Sequence, residues 1–330
     1  MDVLVIGGTG FLSSAVVAEL SAAGHRVTVF TRGRRPLPEG VEAITGDRSD
    51  HAAFAAHFEG RPFDAVVDCI CFRPEEAQAG LRAFSGRVRH FLMISTDFVY
   101  GPRRVLPMDE DTPLRAMSQY GRDKAACEAL LMEAWAEERF PVTVLRPPHI
   151  MGAGGHLGTG SLHGRDPMLI DRLQQREPVV LLDGGSLLIQ PVVHRDVGRA
   201  CAAVLGNEAT LGQAYNVAGP DCVTTRDYYE LIAATLGIDD AEYLSLPSDE
   251  YVRAFPDRAP FAHHRMYSVE RLVRDTGYRP ATTLQHAVFE TVDWLQANEA
   301  AQPYVESEQD TNVAALCRAF GEELRKLLGG

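Results

Sequence analysis

The sequence predicts an α/β fold in which a doubly wound parallel sheet carries a smaller, interleaved domain toward the C-terminus. The first observation is that short runs of β-formers, beginning at residues 3–6, alternate with helical stretches through the first half of the chain. The second is a glycine-rich turn directly after the first run. The third is length, because 330 residues are more than one compact core needs and too few for three.

The start of the chain has the order strand, glycine turn, helix, strand. Residues 3–6 suit a strand buried on both faces, and residues 11–23 place apolar side chains at helical spacing. Gly7 and Gly10 would let backbone N–H groups approach a pyrophosphate at the positive end of the helix. This order is typical of a Rossmann-type dinucleotide site, although similar turns also serve as plain connections. Ser13 occupies the third small position and is small enough to be tolerated there.

The end of the second strand indicates which nicotinamide cofactor the site would prefer. A site for NAD(H) usually places Asp or Glu there to bind the ribose hydroxyls. This chain instead has Thr-Arg-Gly-Arg-Arg at residues 31–35. Arg32 could hold a 2′-phosphate through two hydrogen bonds, which favours NADP(H) over NAD(H), and the alternative is a solvated basic loop.

Further βα repeats follow the second strand. Strands are predicted at residues 41–47, 63–68 and 90–95, and helices at residues 50–58 and 74–84. Parallel strands that are covered by helices on both faces bind ligands at their carboxyl ends. We therefore expect Asp47, Arg48 and Cys69 at the rim of the ligand site.

The residues best suited to chemistry are Tyr120, Lys124 and Thr96. Tyr120 and Lys124 stand four residues apart at the start of a long predicted helix, so they share one face. A phenol ordinarily titrates near 10, and a neighbouring ammonium group favours its ionised form. Thr96, after the fifth strand, can hydrogen-bond the substrate oxygen that gains or loses a proton. Each residue alone could have a purely structural role. Their occurrence in this order after a dinucleotide-binding turn favours a single active site.

Composition disfavours several other kinds of protein. The chain has 45 acidic and 32 basic residues, a balance of −13, which opposes binding to nucleic acid. Its six cysteines have no zinc-type spacing, so we expect free thiols and no metal. No membrane span or signal peptide is recognisable, and we expect a cytoplasmic protein.

Four motifs resemble those of the extended and atypical short-chain dehydrogenase/reductase superfamily, in its epimerase/dehydratase branch. They are Gly7-Gly-Thr-Gly-Phe-Leu, Ser95-Thr-Asp-Phe-Val-Tyr-Gly, Tyr120-x-x-x-Lys124 and Leu145-Arg-Pro-Pro-His-Ile-Met-Gly152. The resemblance implies that Tyr120 is the general acid/base, Lys124 its partner and Thr96 the third catalytic residue. It also implies contacts with NAD(P) from Gly7, Thr9, Gly10, Phe11, Leu12, Arg32, Asp47, Arg48, Cys69, Pro147 and His149. Asp47 and Arg48 would flank the adenine, and Pro147 and His149 would lie beside the nicotinamide carboxamide.

The resemblance narrows the reaction without fixing the substrate. Dehydratases of this branch have Thr-Asp-Glu after the fifth strand, and Phe98 replaces the glutamate base here, which disfavours 4,6-dehydration. The stretch is similar to that of keto-sugar reductases, and epimerases share most of its features. We therefore expect hydride transfer at a carbonyl or carbinol carbon of a nucleotide sugar or similar polar metabolite. Two alternatives without turnover are a cofactor-sensing regulator and an RNA-binding relative.

The resemblance also suggests a domain organisation. We predict an NAD(P)-binding Rossmann domain at residues 1–165 with a returning segment at about 188–220, and a substrate-binding domain at 166–187 and 221–300. Residues 301–330 form a predicted helical extension, with an amphipathic helix from 313 to 328. This helix could dock onto its own subunit or form a contact in a homodimer.

Overall fold

A computed structural model describes residues 1–159 and 162–328. From the N-terminus to the end of the sixth strand the elements are β1 (Asp2–Ile6), α1 (Phe11–Ala22), β2 (Arg26–Thr31), β3 (Glu42–Thr45), β4 (Ala65–Asp68), α2 (Pro74–Phe84), β5 (His90–Ile94), α3 (Gln119–Glu138) and β6 (Val142–Arg146). They are followed by β7 (Ile150–Met151), α4 (Leu169–Gln174), β8 (Val179–Leu182), β9 (Leu188–Ile189), β10 (Val192–Val193), α5 (His194–Val204), β11 (Gln213–Asn216), β12 (Val223–Thr224), α6 (Thr225–Thr235), β13 (Tyr243–Leu246), α7 (Ser248–Ala254), α8 (Glu270–Thr276), α9 (Leu284–Ala297) and α10 (Glu308–Leu328).

Two compact units divide the chain. Unit 1 comprises Met1–Ile150, Pro191–Pro220 and Met266–Thr282, and unit 2 comprises the remaining segments. The sequence assigned residues 266–282 to the substrate-binding domain, but they lie in unit 1, where the backbone N–H of Met108 donates to the carbonyl of Met266 at 2.8 Å. Residues 151–165 lie in unit 2 instead of the first domain. Residues 329 and 330 of the predicted extension lie outside the described residues.

Unit 1 is built on a seven-stranded sheet with the order β11-β6-β5-β4-β1-β2-β3, and each neighbouring pair is parallel. The predicted doubly wound parallel sheet is therefore confirmed. Strand order reverses between β1 and β4, since the chain leaves β1 toward β2 and β3 and returns to the other side for β4. This reversal opens a crevice at the carboxyl ends of the two strands, where ligands bind in sheets of this type.

Both faces of the sheet are covered, as the continuous apolar runs require. Val3 and Val5 point into one core, which α1 and α5 complete, and Leu4 and Ile6 point into the other, against α2 and α3. All four side chains have no exposed surface. Alternation along β1 thus supplies two cores from one strand.

One predicted helix of unit 1 is much shorter than expected. The sequence predicted a helix at residues 50–58, whereas the structure has a 3-10 turn at Phe54–Phe58. The carboxylate of Asp50 accepts a hydrogen bond from the backbone N–H of Ala53 at 3.1 Å, which stabilises a turn at this point. Phe54 and Phe58 are then buried against α2 from this single short turn.

Unit 2 contains two small sheets and the C-terminal helix. Strands β8 and β13 are parallel, whereas β9 and β12 are antiparallel. Helix α10 begins five residues before the predicted start, and Cys317 on it is buried in one cluster with Val180, Leu246 and Tyr251. One face of α10 therefore packs against its own unit, while Leu316, Phe320 and Leu327 are exposed.

Candidate active site

The glycine turn after β1 depends on two residues in the left-handed region. Gly7 has φ of 114° and Gly8 has φ of 90°. A Cβ atom on Gly8 would lie 2.5 Å from Val29 Cγ1, so this residue also allows the turn to approach β2. Ser13, at the third small position, is buried, and its Oγ accepts a hydrogen bond from the backbone N–H of Gly10 at 2.9 Å. The serine is therefore a component of the turn. Sequence reasoning gave no role to Gly8, although the glycine doublet signalled it.

The turn lines a cleft of about 610 Å³ at the carboxyl ends of the strands of unit 1. Six of its lining residues are predicted cofactor contacts, namely Gly7, Thr9, Gly10, Arg32, Asp47 and Arg48. A Cβ atom on Gly7 would lie 3.4 Å from Ile70 Cγ2, so a side chain there would fill the space beside the backbone. The cleft thus has the volume and the open backbone that a dinucleotide requires.

Arginines occupy the end of the cleft near β2. Arg32, Arg34 and Arg35 are exposed and line the cleft. The guanidinium of Arg35 donates to the carbonyl of Thr9 at 2.9 Å, which holds this arginine beside the glycine turn. The three side chains form a cationic surface that suits a phosphate group.

Asp47 and Arg48 face different surroundings. Asp47 is exposed, and hydrogen bonds from the N–H and Oγ of Ser49 to its Oδ1, at 2.9 and 2.7 Å, lower its pKa, with a smaller effect from the nearby arginines. Arg48 is buried and donates to Asp68 Oδ2 at 2.7 Å and to the carbonyl of Glu76 at 2.6 Å. Its Nε and Nη1 have no hydrogen-bond partner among the described residues. Arg48 therefore ties the segment after β3 to β4 and α2.

Tyr120 and Lys124 lie in the first two turns of α3. Lys124 is only 1% exposed, and its ammonium group donates to the carbonyls of Cys71 at 2.8 Å and Ile94 at 2.5 Å. Burial lowers the pKa of Lys124. Tyr120 is 42% exposed. The structure thus brings a buried cation to the ends of β4 and β5, on the helix that presents a phenol to solvent.

Thr96 caps a short turn that faces the start of α3. Its Oγ1 accepts from the backbone N–H of Phe98 and donates to Asp97 Oδ1, both at 3.3 Å. Asp97 is buried, and its Oδ2 accepts from the hydroxyl of Tyr267 at 2.8 Å. A Cβ atom on Gly121 would lie 2.3 Å from the carbonyl oxygen of Phe98, so glycine is required for α3 to approach this turn. Sequence reasoning missed Tyr267, since nothing local distinguishes it.

A buried ionic network holds the middle of α3 against the sheet. Glu128 forms a salt bridge with Arg146 of β6 at 2.6 Å, and Ser95 Oγ donates to the same carboxylate. Arg146 also donates to the hydroxyl of Tyr100 at 2.8 Å, which donates in turn to Asn216 Oδ1 at 2.9 Å. Glu128 was not singled out from the sequence, although it lies four residues after Lys124 and therefore on the same helix face.

Three other predicted contacts lie near the glycine turn but outside the lining of the cleft described above. The ring of Phe11 stacks on His194, with centroids 4.7 Å apart. Leu12 is half-buried against the core. Cys69 is buried at the end of β4, where its N–H donates to the carbonyl of Ile6 at 3.1 Å and burial raises the pKa of its thiol. Their contact with a cofactor stays a prediction.

Pro147 and His149 follow β6 and lie beside the Thr96 segment and β10, respectively. The carbonyl of Pro147 accepts from the N–H of Asp97 at 3.1 Å, and the carbonyl of His149 accepts from the N–H of Val192 at 2.9 Å. Within residues 1–159 and 162–328, no three His, Cys, Asp or Glu side chains are grouped so that they could hold a metal ion. No helix in this part of the chain is long and apolar enough to span a bilayer.

Comparison with known proteins agrees with this geometry. The chain is 32% identical over 239 residues to 2'-dehydrokanamycin reductase of Streptomyces kanamyceticus, covering 72% of this chain and 67% of the relative. It is 25% identical over 297 residues to the chloroplast stem-loop binding protein of 41 kDa b of Arabidopsis thaliana, covering 84% and 75%. The structure of a UDP-glucose 4-epimerase from Thermotoga maritima superposes with a TM-score of 0.76 at 19% identity, covering 91% of this chain and 100% of that one.

The family comparison covers the segments that form the cleft and the Tyr120 helix. The NAD dependent epimerase/dehydratase family matches residues 3–218, which is more than half of the chain. An NAD(P) cofactor is expected for this family, in agreement with the open backbone of the cleft. The chain therefore belongs to the NAD-dependent epimerase/dehydratase family.

Proposed function

We propose that this protein transfers a hydride between NADP(H) and a carbonyl or carbinol carbon of a nucleotide sugar or similar polar metabolite. The observation that carries the proposal is the placement of Lys124, whose ammonium is buried at the ends of β4 and β5 and lies on the same helix as the exposed phenol of Tyr120. An ammonium group one helical turn from a tyrosine, on the same face of α3, favours the phenolate, which a proton-transfer role requires.

The proposed mechanism gives each side chain one role. Tyr120 donates a proton to the substrate oxygen during reduction and accepts one during oxidation, and Thr96 orients that oxygen. The nicotinamide, when bound, supplies or accepts the hydride. Phe98 stands where dehydratases of this branch have a base, and a phenyl ring cannot take a proton, so we propose a reductase or an epimerase.

Preference for the phosphorylated cofactor is supported by charge at the cleft. Arg32 and Arg34 lie at its β2 end, and no carboxylate follows β2 before Glu39. Arg32→Ala should weaken NADPH binding at least about tenfold and leave NADH binding nearly unchanged, as measured by cofactor fluorescence. Arg26→Ala, at the amino end of the same strand, is the matched control. Equal losses for the two cofactors would contradict the assignment.

Turnover is tested with Tyr120→Phe, which keeps the ring and removes the proton. We expect reduction or epimerisation of candidate keto sugars to fall by about two orders of magnitude or more. Full activity in this variant would overturn the mechanism. The redox state of the cofactor that copurifies separates the two reactions, because an epimerase retains its cofactor and a reductase exchanges it.

RNA binding is the second candidate, favoured by the similarity to the chloroplast stem-loop binding protein. The net charge of −13 opposes it. A stem-loop RNA titrated at low and moderate salt decides between them. We expect no saturable binding at either concentration, and submicromolar affinity that falls with salt would support the alternative.

The proposed homodimer has one structural support, the exposed side chains of Leu316, Phe320 and Leu327 on α10. Exposed apolar side chains on one helix are typical of contact surfaces. The mass in solution of the full chain and of a chain ending at Ser307 tests it: the full chain should be a dimer and the shortened one a monomer. A monomeric full chain would contradict the assignment.

A further inference from the structure

Phe72 is a large apolar side chain that remains 45% exposed and lines the cofactor cleft. Its position is fixed by the start of α2. The backbone N–H groups of Phe72 and Arg73 both donate to Glu76 Oε2, at 2.6 and 3.0 Å. The preceding residue, Cys71, uses its carbonyl to bind Lys124. The ring is therefore presented by a rigid turn and not by a loose loop.

The ring contacts both members of the proposed catalytic pair. Its centroid lies 5.3 Å from the ammonium nitrogen of Lys124, within the range of a cation–π interaction. The centroid of the Tyr120 ring lies 6.4 Å away, within the range of aromatic pairs. One side chain from the loop after β4 thus spans the cation and the phenol on α3.

The other groups around Lys124 explain why such a ring matters. Asp68 faces the ammonium from β4, Glu128 and the thiol of Cys127 from α3, and the thiol of Cys71 from the loop after β4. The two carboxylates favour the charged amine, whereas burial opposes it and dominates. A ring face stabilises a cation without bringing water, so it lets the ammonium stay both charged and unscreened.

We propose that Phe72 is a positioning residue for the Tyr120–Lys124 pair, holding the ammonium charged and shielding it from water beside the phenol. The inference rests on the proposed function, because it concerns the group that would transfer the proton. Removal of the ring should admit water to Lys124 and screen its attraction for the phenolate. Tyr120 should then ionise at higher pH.

The test compares Phe72→Leu with Phe72→Trp in the full-length protein. Leucine keeps an apolar cover but has no ring face, and tryptophan keeps the face. The ionisation of Tyr120 is followed by phenolate absorbance, as the difference between each protein and the same protein carrying Tyr120→Phe. We expect the leucine variant to raise the midpoint by about half to one pH unit and the tryptophan variant to keep it. The limb of the pH–rate profile that reports the ionisation of Tyr120 should move by the same amount.

Each outcome bears on the inference. An unchanged midpoint in the leucine variant, or equal shifts in both variants, overturns it. A shift in the leucine variant alone supports it, even if Tyr120→Phe keeps full turnover, in which case the proposed function fails separately. Phe72→Met is a second variant without a ring and should behave like leucine if the ring face is the cause. Circular dichroism verifies that each variant is folded.

Discussion

His90 provides a prediction whose size follows directly from the structure. The residue begins β5 and is 1% exposed. The backbone N–H of Gly206 donates to its Nδ1 at 3.0 Å, so the neutral ring must carry its proton on Nε2. That nitrogen lies 2.8 Å from Thr143 Oγ1, which donates its own proton to the carbonyl of Thr210 at 2.6 Å. A second ring proton would point at the Gly206 N–H.

Burial accordingly lowers the pKa of His90 from 6.5 to about 4. Between these values the unfolded chain binds a proton that the folded chain does not, so the free energy of unfolding rises with pH through this window and falls on acidification. A pKa that is lower by about 2.5 in the folded protein corresponds to roughly 3 kcal/mol in all. About 2 kcal/mol of it should be lost between pH 7 and pH 5.

The perturbation is His90→Gln, which keeps an N–H donor toward Thr143 and cannot take a proton. Denaturant unfolding of both proteins at pH 7, 6 and 5 gives the difference in unfolding free energy at each pH. This difference should shift in favour of the variant by about 2 kcal/mol from pH 7 to pH 5. His286→Gln, at an exposed position on α9, is the control and should change nothing. A difference for His90→Gln that stays constant with pH would refute the reasoning.

Three further predictions concern the supports of the site and the C-terminal helix. Gly121→Ala would place a methyl group 2.3 Å from the carbonyl oxygen of Phe98, so kcat should fall at least about tenfold. A variant with the kcat of the wild type would contradict the close approach of α3 to the Thr96 turn. Glu128→Gln leaves the guanidinium of Arg146 buried without its counterion and should lower the free energy of unfolding by about 3 kcal/mol. Adding Arg146→Met to this variant should restore much of the lost free energy. An equal loss in the single and the double variant would show that the unpaired charge is not the cause. A chain ending at Ser307 lacks α10 and exposes the apolar cluster of Val180, Leu246 and Tyr251 in unit 2. Its Tm should therefore fall by several degrees in a thermal scan. An unchanged Tm would contradict the packing of α10.

Local patterns predicted the elements that local chemistry determines. The predicted helix at 74–84 has the bounds of α2, because Pro74 begins it and Glu76 caps it. Strand β1 was predicted to within a residue, since its apolar run ends at Gly7. The direction of the Arg48 side chain could not be predicted, because it depends on Asp68 and on a carbonyl of α2 that the sequence does not place beside it.

Contacts between distant segments explain the rest of what was missed. Tyr267 and Asp97 are 170 positions apart, and Tyr100 and Asn216 are 116 apart. Neither pair belongs to a motif with a characteristic spacing, and only the folded sheet brings them together. The Thr96–Tyr120–Lys124 set was recognisable because its members carry a chemical signature, whereas the residues that hold the set in place do not.

The anchoring of α3 explains how this set keeps its geometry. Lys124 and Glu128 are one turn apart on the buried face of the helix. Lys124 donates hydrogen bonds to the carbonyl of Cys71, just after β4, and to the carbonyl of Ile94 at the end of β5. Glu128 forms a salt bridge with Arg146 at the end of β6. Three neighbouring strand ends are therefore tied to one helix face by buried polar bonds, which tolerate much less displacement than apolar contacts. The position of Tyr120 relative to the cleft thus depends on Glu128 as well as Lys124, and a change at Glu128 should affect turnover although that side chain lies a turn beyond the lysine.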